Sequence, residues 1–381
     1  MERPLKVLSI GHSYVVGMNR SILRELAEDP LFDVTIAAPS LFNGSLRTIE
    51  LEPEPETSKV KLISLDAYFT NKMHIFSYDH FQLKGLFKQD FDLVHAWEEP
   101  YIFSGFQIAR MAHKTKTPYA FRTAQSLVKN YMYPFNYFEK KSFSWASRWI
   151  AGGQLVFNSM LEKGLEKEKG KVLTLAVDTK AFKPFDDLEK KATRDMHGLK
   201  GPVIGYLGRL SEEKGCDLFM EVLSQMKDLP WNFLVMGSGP YKDKIEKWAE
   251  SEGLASRVKV RLFKHNEVPH VLPVCDLLIC PSQTRKFWKE QFGRMVVEAF
   301  ASGVPVMTSN SGEIPRVVGD AGVVLPEASR DEWLKALKAF VTRPESYQEY
   351  REKGLKRVHQ FSAQAIAEQY KVFYKELSES K

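Results

Sequence analysis

The chain of 381 residues has little cysteine: Cys216, Cys275 and Cys280, an odd number with no C-x-x-C pair. That excludes a disulfide framework and a cysteine-built zinc site, and fits a reducing compartment. No apolar run approaches the ~18 residues a membrane span needs. The stretch MERPLKVLSIGHSYVVG holds one short apolar run, which reads as a first strand rather than a signal peptide. Neither G-x-G-x-x-G nor G-x₄-G-K-[ST] is present, which removes the dinucleotide-dehydrogenase and P-loop ATPase readings. Charge of one sign is also scarce. The balance is 54 − 48 = +6, spread along the chain, and excludes a nucleic-acid partner. A cytoplasmic protein is expected.

What is present is apolar: 44% hydrophobic and 12% aromatic residues supply large cores and exclude disorder. At roughly 150 residues per domain the length gives two to three domains. Short β-branched runs begin at KVLSIG (6–11), DVTIAAP (33–39), KVKLISL (59–65), DLVHAW (92–97), PYAFRTA (118–124) and RWIAGG (148–153). Between them lie amphipathic stretches, Arg20–Glu28, Tyr101–His113 and Asn158–Lys167, with apolar residues three and four apart. The pattern restarts with VIGYLG (203–208), WNFLVMG (231–237), VKVRLF (258–263), LLIC (277–280) and VPVMTS (304–309). This alternation predicts two doubly wound parallel α/β domains. The charged, Pro184-containing segment 178–201 reads as their connection, and ELEPEPE (50–56) as a solvated loop. The expected division is 1–178, 179–360, and a C-terminal helix, 361–381, that returns to brace one domain on the other. Its Phe361, Tyr370, Phe373 and Tyr374 need something to pack against. Ligands of open α/β sheets bind outside the carboxyl ends of the strands, so the loops there carry the candidates.

Three clusters in the second half stand at such ends. GYLGRLSEEKG places Gly208, Arg209, Lys214 and Gly215 after a strand, so that two cations can sit beside a phosphate at a helix start. The bland alternative is a turn with a solvated cap. Gly237-Ser238-Gly239-Pro240 is a second strand-to-helix turn, a phosphate loop or a tight turn only. KEQFGRMVVEAFASGVPV (289–306) carries Glu290 and Glu298, with Phe292-Gly293 between them opening a helix. Two carboxylates can accept charge-assisted hydrogen bonds from vicinal hydroxyls, or be merely exposed and structurally paired.

Taken in order, these clusters resemble the nucleotide-binding domain of family-4 retaining glycosyltransferases of the GT-B fold (the group 1 type). The likeness covers residues 200–330 and includes the E-x₇-E signature as Glu290 and Glu298. LAVDTKAFKP is similar to the family's interdomain segment, and FDLVHAWEEPY to its acceptor-facing strand and loop. The first loop, GHSYVVG, has Gly17 but not paired glycines, and Gln125 stands where many members have a histidine. A glutamine still donates and accepts hydrogen bonds.

The resemblance implies two Rossmann-like domains facing across a cleft. It implies transfer of a sugar from a UDP- or GDP-linked donor to an acceptor hydroxyl, with retention and without metal or other cofactor, in glycan, glycolipid or polysaccharide synthesis. Arg209 and Lys214 would hold the diphosphate and stabilise the leaving charge. Glu298 would bind the ribose, and Glu290 the sugar hydroxyls. Backbone amides at Phe292 and Gly293 would contact sugar or diphosphate, with Gly208, Gly237 and Gly239 beside them, while Phe263 and Lys264 would cradle the base. Asp90-Phe91-Asp92, the one literal D-x-D, leads straight into a strand and reads as structural. On the acceptor side the expected residues are His12, Gly17, Glu98 and Gln125.

Residues 101–150 hold eight Lys or Arg against one acid, Glu139, with thirteen aromatics. They form either a surface for a lipid-linked acceptor or the cytoplasmic leaflet, or a core-packing helix with an ordinary solvated face. Two rival functions stand beside transfer: a nucleotide-sugar epimerase or hydrolase on the same fold, and a catalytically idle nucleotide-sugar-binding module.

Overall fold

The computed structural model describes residues 3–44 and 48–380. It divides into two compact units, Met1–Ala176 with Ala363–Lys381, and Val177–Ser362. In the first unit seven strands form one parallel sheet: β1 (Leu5–Ile10), β2 (Phe32–Pro39), β3 (Lys61–Leu65), β4 (Leu93–Ala96), β5 (Tyr119–Thr123), β6 (Arg148–Ala151) and β7 (Gly170–Val172). Their order is β7-β6-β5-β4-β1-β2-β3. The second unit has β8 (Val203–Leu207), β9 (Asn232–Met236), β10 (Val258–Arg261), β11 (Leu277–Cys280), β12 (Val306–Ser309) and β13 (Val323–Leu325). These also run parallel, in the order β10-β9-β8-β11-β12-β13. Helices cover the faces, so the central strands are buried and mainly apolar; every residue of β4 and β11 is buried, His95 included.

Each sheet reverses its strand order once, between β1 and β4 and between β8 and β11. There the connections leave toward opposite sides and a crevice opens at the carboxyl ends.

Three expectations need revision. The segment read as a connection contains a helix, Asp187–His197, opened by a capping box in which Asp186 and Glu189 satisfy each other's backbone N–H. Arg194 and Lys190 fasten it to Asp276 in the second unit. The loop read as solvated is held: Glu54 pairs with buried Arg20 and with Arg24, each at 2.8 Å. The helix expected at 158–167 runs instead from Gln154 to Glu162 and ends before Gly164, whose φ is +87°.

The last helix, Ala363–Ser378, buries Ile366, Ala367, Tyr370, Phe373, Tyr374 and Leu377 in the first unit's core. That is an apolar stripe at helical spacing. Tyr374 Oη lies 2.9 Å from His95 Nδ1, and Arg122 donates to Tyr370 Oη at 2.9 Å. Phe361 lies before this helix, edge-on to Phe292 in the second unit.

Candidate functional site

In the second unit, β8 ends at Leu207 and the chain turns through Gly208, whose φ is +150°. The Gly237–Gly239 turn lies directly on this loop. Gly208 N–H donates to Met236 and Leu210 N–H to Ser238, both at 3.0 Å. A side chain on Gly237 would run into the Gly208 carbonyl, and one on Gly239 into Leu210. Two backbones therefore touch, which only glycine permits. Arg209 emerges from this contact into solvent.

Lys214 follows in a short turn and lies half-buried against β11's exit loop. Gly215, at φ +75°, has its α-carbon against the Pro281 carbonyl. Lys214 Nζ donates to Glu290 Oε2 at 2.7 Å and sits 4.7 Å from the centre of the Trp288 ring. Ser282 Oγ donates to the same Glu290 oxygen at 2.8 Å. The Glu290 carbonyl accepts from Glu313 N–H at 2.9 Å, with Gly312, at φ +59°, packed against it. Glu290 is thus fixed through backbone and side chain alike. Gly293, at φ +80°, then caps the helix Arg294–Ala301, and the N–H groups of Phe292 and Gly293 meet no acceptor among the described residues. The Phe292 side chain is core.

Glu298 lies buried one and a half turns into that helix, and its carboxylate accepts no hydrogen bond among the described residues. Burial pushes its pKa up to about 7, with Arg294 pulling only partly the other way. A buried acceptor with unfilled lone pairs suits hydroxyl donors.

Phe263 borders a cavity of about 930 Å³ with His197, Arg261, Leu262, Glu267 and His270. Lys264 does not line it; its N–H is taken by Glu267 Oε2 at 2.6 Å and its side chain is exposed. The three cysteines are buried and unpaired, and burial pushes each up to about 12.

In the first unit, His12 and Glu98 meet at the β1/β4 reversal. His12 N–H donates to Glu98 Oε1 at 2.6 Å and His12 Nδ1 lies 2.7 Å from Oε2. Tyr78 Oη donates to Oε1 at 2.7 Å. Burial opposes charge on His12, but the Glu98 carboxylate and its hydrogen bond outweigh it, so the imidazole pKa is raised. Phe42 stacks on the ring at 4.8 Å and Phe76 meets it edge-on, leaving Nε2 as the nitrogen without a partner among the described residues.

Gly17 and Gln125 are occupied by the protein itself. Gly17 N–H donates to Glu52 Oε2 at 2.6 Å. Gln125 Nε2 donates to Glu99 and Glu139, and its Oε1 accepts from Tyr131 and Lys163. With four partners the amide is fully engaged within the protein, and Gln125 holds the loop after β5. Asp92 of the D-x-D is likewise engaged, with Arg3 on both oxygens. Among the described residues, no three His, Cys, Asp or Glu side chains converge as metal ligands.

The chain pairs Glu98 with Tyr78, Glu290 with Ser282, and Lys214 with the Trp288 ring. These partners carried no sequence signal, because each sits on a loop that only the sheet's closure brings near.

Residues 189–357 match the family model described as Glycosyl transferases group 1. A 2-deoxystreptamine glucosyltransferase of Streptomyces kanamyceticus is 33% identical over 122 residues, 31% of this chain and 30% of that protein. A GDP-mannose-dependent alpha-(1-6)-phosphatidylinositol monomannoside mannosyltransferase of Mycolicibacterium smegmatis is 31% identical over 176 residues, 44% and 46% of the two chains. The chain matches at most about half the length of these curated relatives. Among solved structures, Anabaena HepE in complex with UDP and glucose aligns with a TM-score of 0.76 at 18% identity, covering 98% of this chain and 100% of that one. A glycosyltransferase from Rickettsia africae aligns at 0.78 with 15% identity, covering 99% of both. The shared fold is GT-B.

Proposed function

We propose, from the match of residues 189–357 to group 1 glycosyl transferases, that the protein moves a sugar from a UDP- or GDP-linked donor to an acceptor hydroxyl with retention. The observation that carries this reading is the cluster at the β8/β11 reversal. There Lys214, Ser282 and Glu290 interlock within 2.8 Å beside a helix start with open N–H groups and a buried, unfilled carboxylate, Glu298. Residues 1–178 are the acceptor side and 179–360 the donor side of this reading.

The donor diphosphate lies against the Phe292 and Gly293 amides, where a helix start favours anions. Arg209, whose exposed side chain makes no hydrogen bond among the described residues, closes on it. Lys214 leaves its pair with Glu290 for the phosphate, and Glu290 turns its freed acceptor to the sugar hydroxyls. Glu298 takes the ribose hydroxyls, and the base enters the cavity beside Phe263. The acceptor oxygen then bonds to the anomeric carbon on the face the diphosphate leaves. The C–O bond to the diphosphate breaks, its electron pair stays on the phosphate, and that phosphate oxygen takes the acceptor's proton. The two cations stabilise the charge developing there, without a metal, most effectively where water is excluded. His12, held by Glu98, contacts the acceptor through Nε2.

A thermal-shift screen with UDP, GDP, ADP and their sugar conjugates tests the reading, since a ligand of the folded state raises the melting temperature with its saturation. One base should shift it, and one sugar conjugate of that base should shift it further. The absence of any shift at millimolar ligand would sink the donor site. A shift without turnover for any acceptor would favour the idle binding module.

A further inference from the structure

The basic, aromatic stretch 101–150 splits in two. Its helix, Phe135–Trp145, turns aromatics inward: Phe138 stacks on Phe106 at 4.6 Å, Phe143 on Phe121 at 5.4 Å and Trp145 on His113 at 4.8 Å. The loop before it does the opposite. Met132 is 83% exposed and Tyr133 81%, with Val128 also outside. A second loop, after β3, behaves likewise: Phe69 is 59% exposed, and Met73 and Ile75 join it. Nothing in the composition of 101–150 foretold this second loop.

Both loops leave carboxyl ends of the same parallel sheet, and they are joined. His74 of one lies 5.3 Å from the Phe135 ring and 5.7 Å from Tyr101, which stacks on Tyr131 of the other at 4.1 Å. Phe69 holds φ +56°, a conformation a bulky side chain adopts only under constraint, here to expose a ring. The charge is one-sided. Residues 67–78 and 124–138 contain no Asp or Glu, while Lys72 and Lys129 are exposed among the apolar tips. The flanking acids are engaged: Asp66, itself exposed, accepts from Gln82 Nε2 at 2.7 Å, Asp79 caps the next helix and Glu139 is paired with Lys163 at 2.5 Å.

We infer that these two loops form a membrane-docking surface for an anionic lipid leaflet. Apolar and aromatic tips enter the headgroup boundary and the lysines meet lipid phosphates. A second copy of the chain fits less well, because a two-fold interface would set the same lysines against each other with no acid to receive them. Phe76 and Tyr78, which hold His12 and Glu98, belong to the same loop as Phe69. The surface therefore borders the acceptor side, as an acceptor carried by lipid would require. Docking stands apart from the transfer reading, since it is read without donor or acceptor and either can fail alone.

Flotation of the full chain with vesicles tests it, comparing phosphatidylcholine alone with phosphatidylcholine mixed with phosphatidylglycerol, at low and high salt. The protein should float with the mixed vesicles and be released by salt. M132S/Y133S and, separately, K72E/K129E should each lower the bound fraction by about tenfold. Melting temperature should hold in the charge variant, whose positions are exposed, so a folding defect in the apolar variant leaves the test intact. Failure of the wild type to float, or equal flotation of wild type and K72E/K129E, overturns the inference. So does a dimer in light scattering that M132S/Y133S dissociates while vesicles bind nothing.

Discussion

Lys214 and Glu290, 76 positions apart in sequence, form a partly buried ion pair of 2.7 Å whose cation also rests on the Trp288 ring. Each group is neutralised and aimed by the other until a ligand divides them. In the proposed reaction the diphosphate takes the lysine and the sugar takes the carboxylate.

Lys214→Ala should therefore lower turnover by about 10² or more, because the lost cation acts where charge develops. Affinity for the nucleoside diphosphate should fall less, by about tenfold, since the open helix amides remain. Calorimetric Kd beside steady-state kcat reads the split. Equal losses in both would make Lys214 a binding residue only.

Glu298 gives a pH signature. Burial raises its folded pKa to about 7, above the ordinary carboxylate value of 4.5. Between those values the folded state holds a proton that the unfolded state has lost. Stability falls as pH rises through that window, with the full cost present above about 7. Glu298→Gln should remove this slope, so the variant gains on the wild type from pH 5 to 8 in thermal melts while its affinity for the nucleotide drops. Parallel stability curves would count against a buried, protonatable Glu298.

Gly312→Ala adds a Cβ against the Glu290 carbonyl, at a φ of +59° that favours glycine. We expect a loss of about 1–3 kcal/mol in chemical denaturation. Donor affinity should fall as well, because Glu290 must shift. A stable variant with full affinity would show that the turn is not what fixes Glu290.

Glu98→Gln should lower the His12 pKa, since burial would then be opposed only by the weaker pull of Glu99. In the wild type the folded value is raised above the ordinary 6.5. That contribution to stability is complete below 6.5 and disappears as pH rises through the folded value. Imidazole NMR titration in both proteins reads the difference; an unchanged His12 titration would mean that Glu98 is not its determinant.

Much of this architecture was legible along the chain. Eleven of the strands lie where short apolar or β-branched runs predicted them, because a parallel strand buried on both faces is mainly apolar. The two three-residue edge strands, Gly170–Val172 and Val323–Leu325, were not legible: three residues carry no period. The cluster proposed to bind the donor left its mark through glycines, at 208, 237, 239 and 293, because close backbone approach and left-handed φ show in composition. Gln125 and the Glu50–Glu56 loop left none. A glutamine's availability depends on how many neighbours claim it, and the glutamates 52 and 54 read as solvated until Gly17, Arg20 and Arg24 are folded against them.

The sequence by itself determined the strands, the helices and the glycine turns that end them, since each depends on residues within one local window. Tertiary structure alone decided which polar groups are free. Among the described residues Glu298 is unfilled, Gln125 is saturated, His12 keeps one open nitrogen, and Phe69 and Met132 stay outside. Those states follow from partners that arrive from distant loops, and hydrogen-bonding capacity is spent only once the sheet has brought them within 3 Å or so.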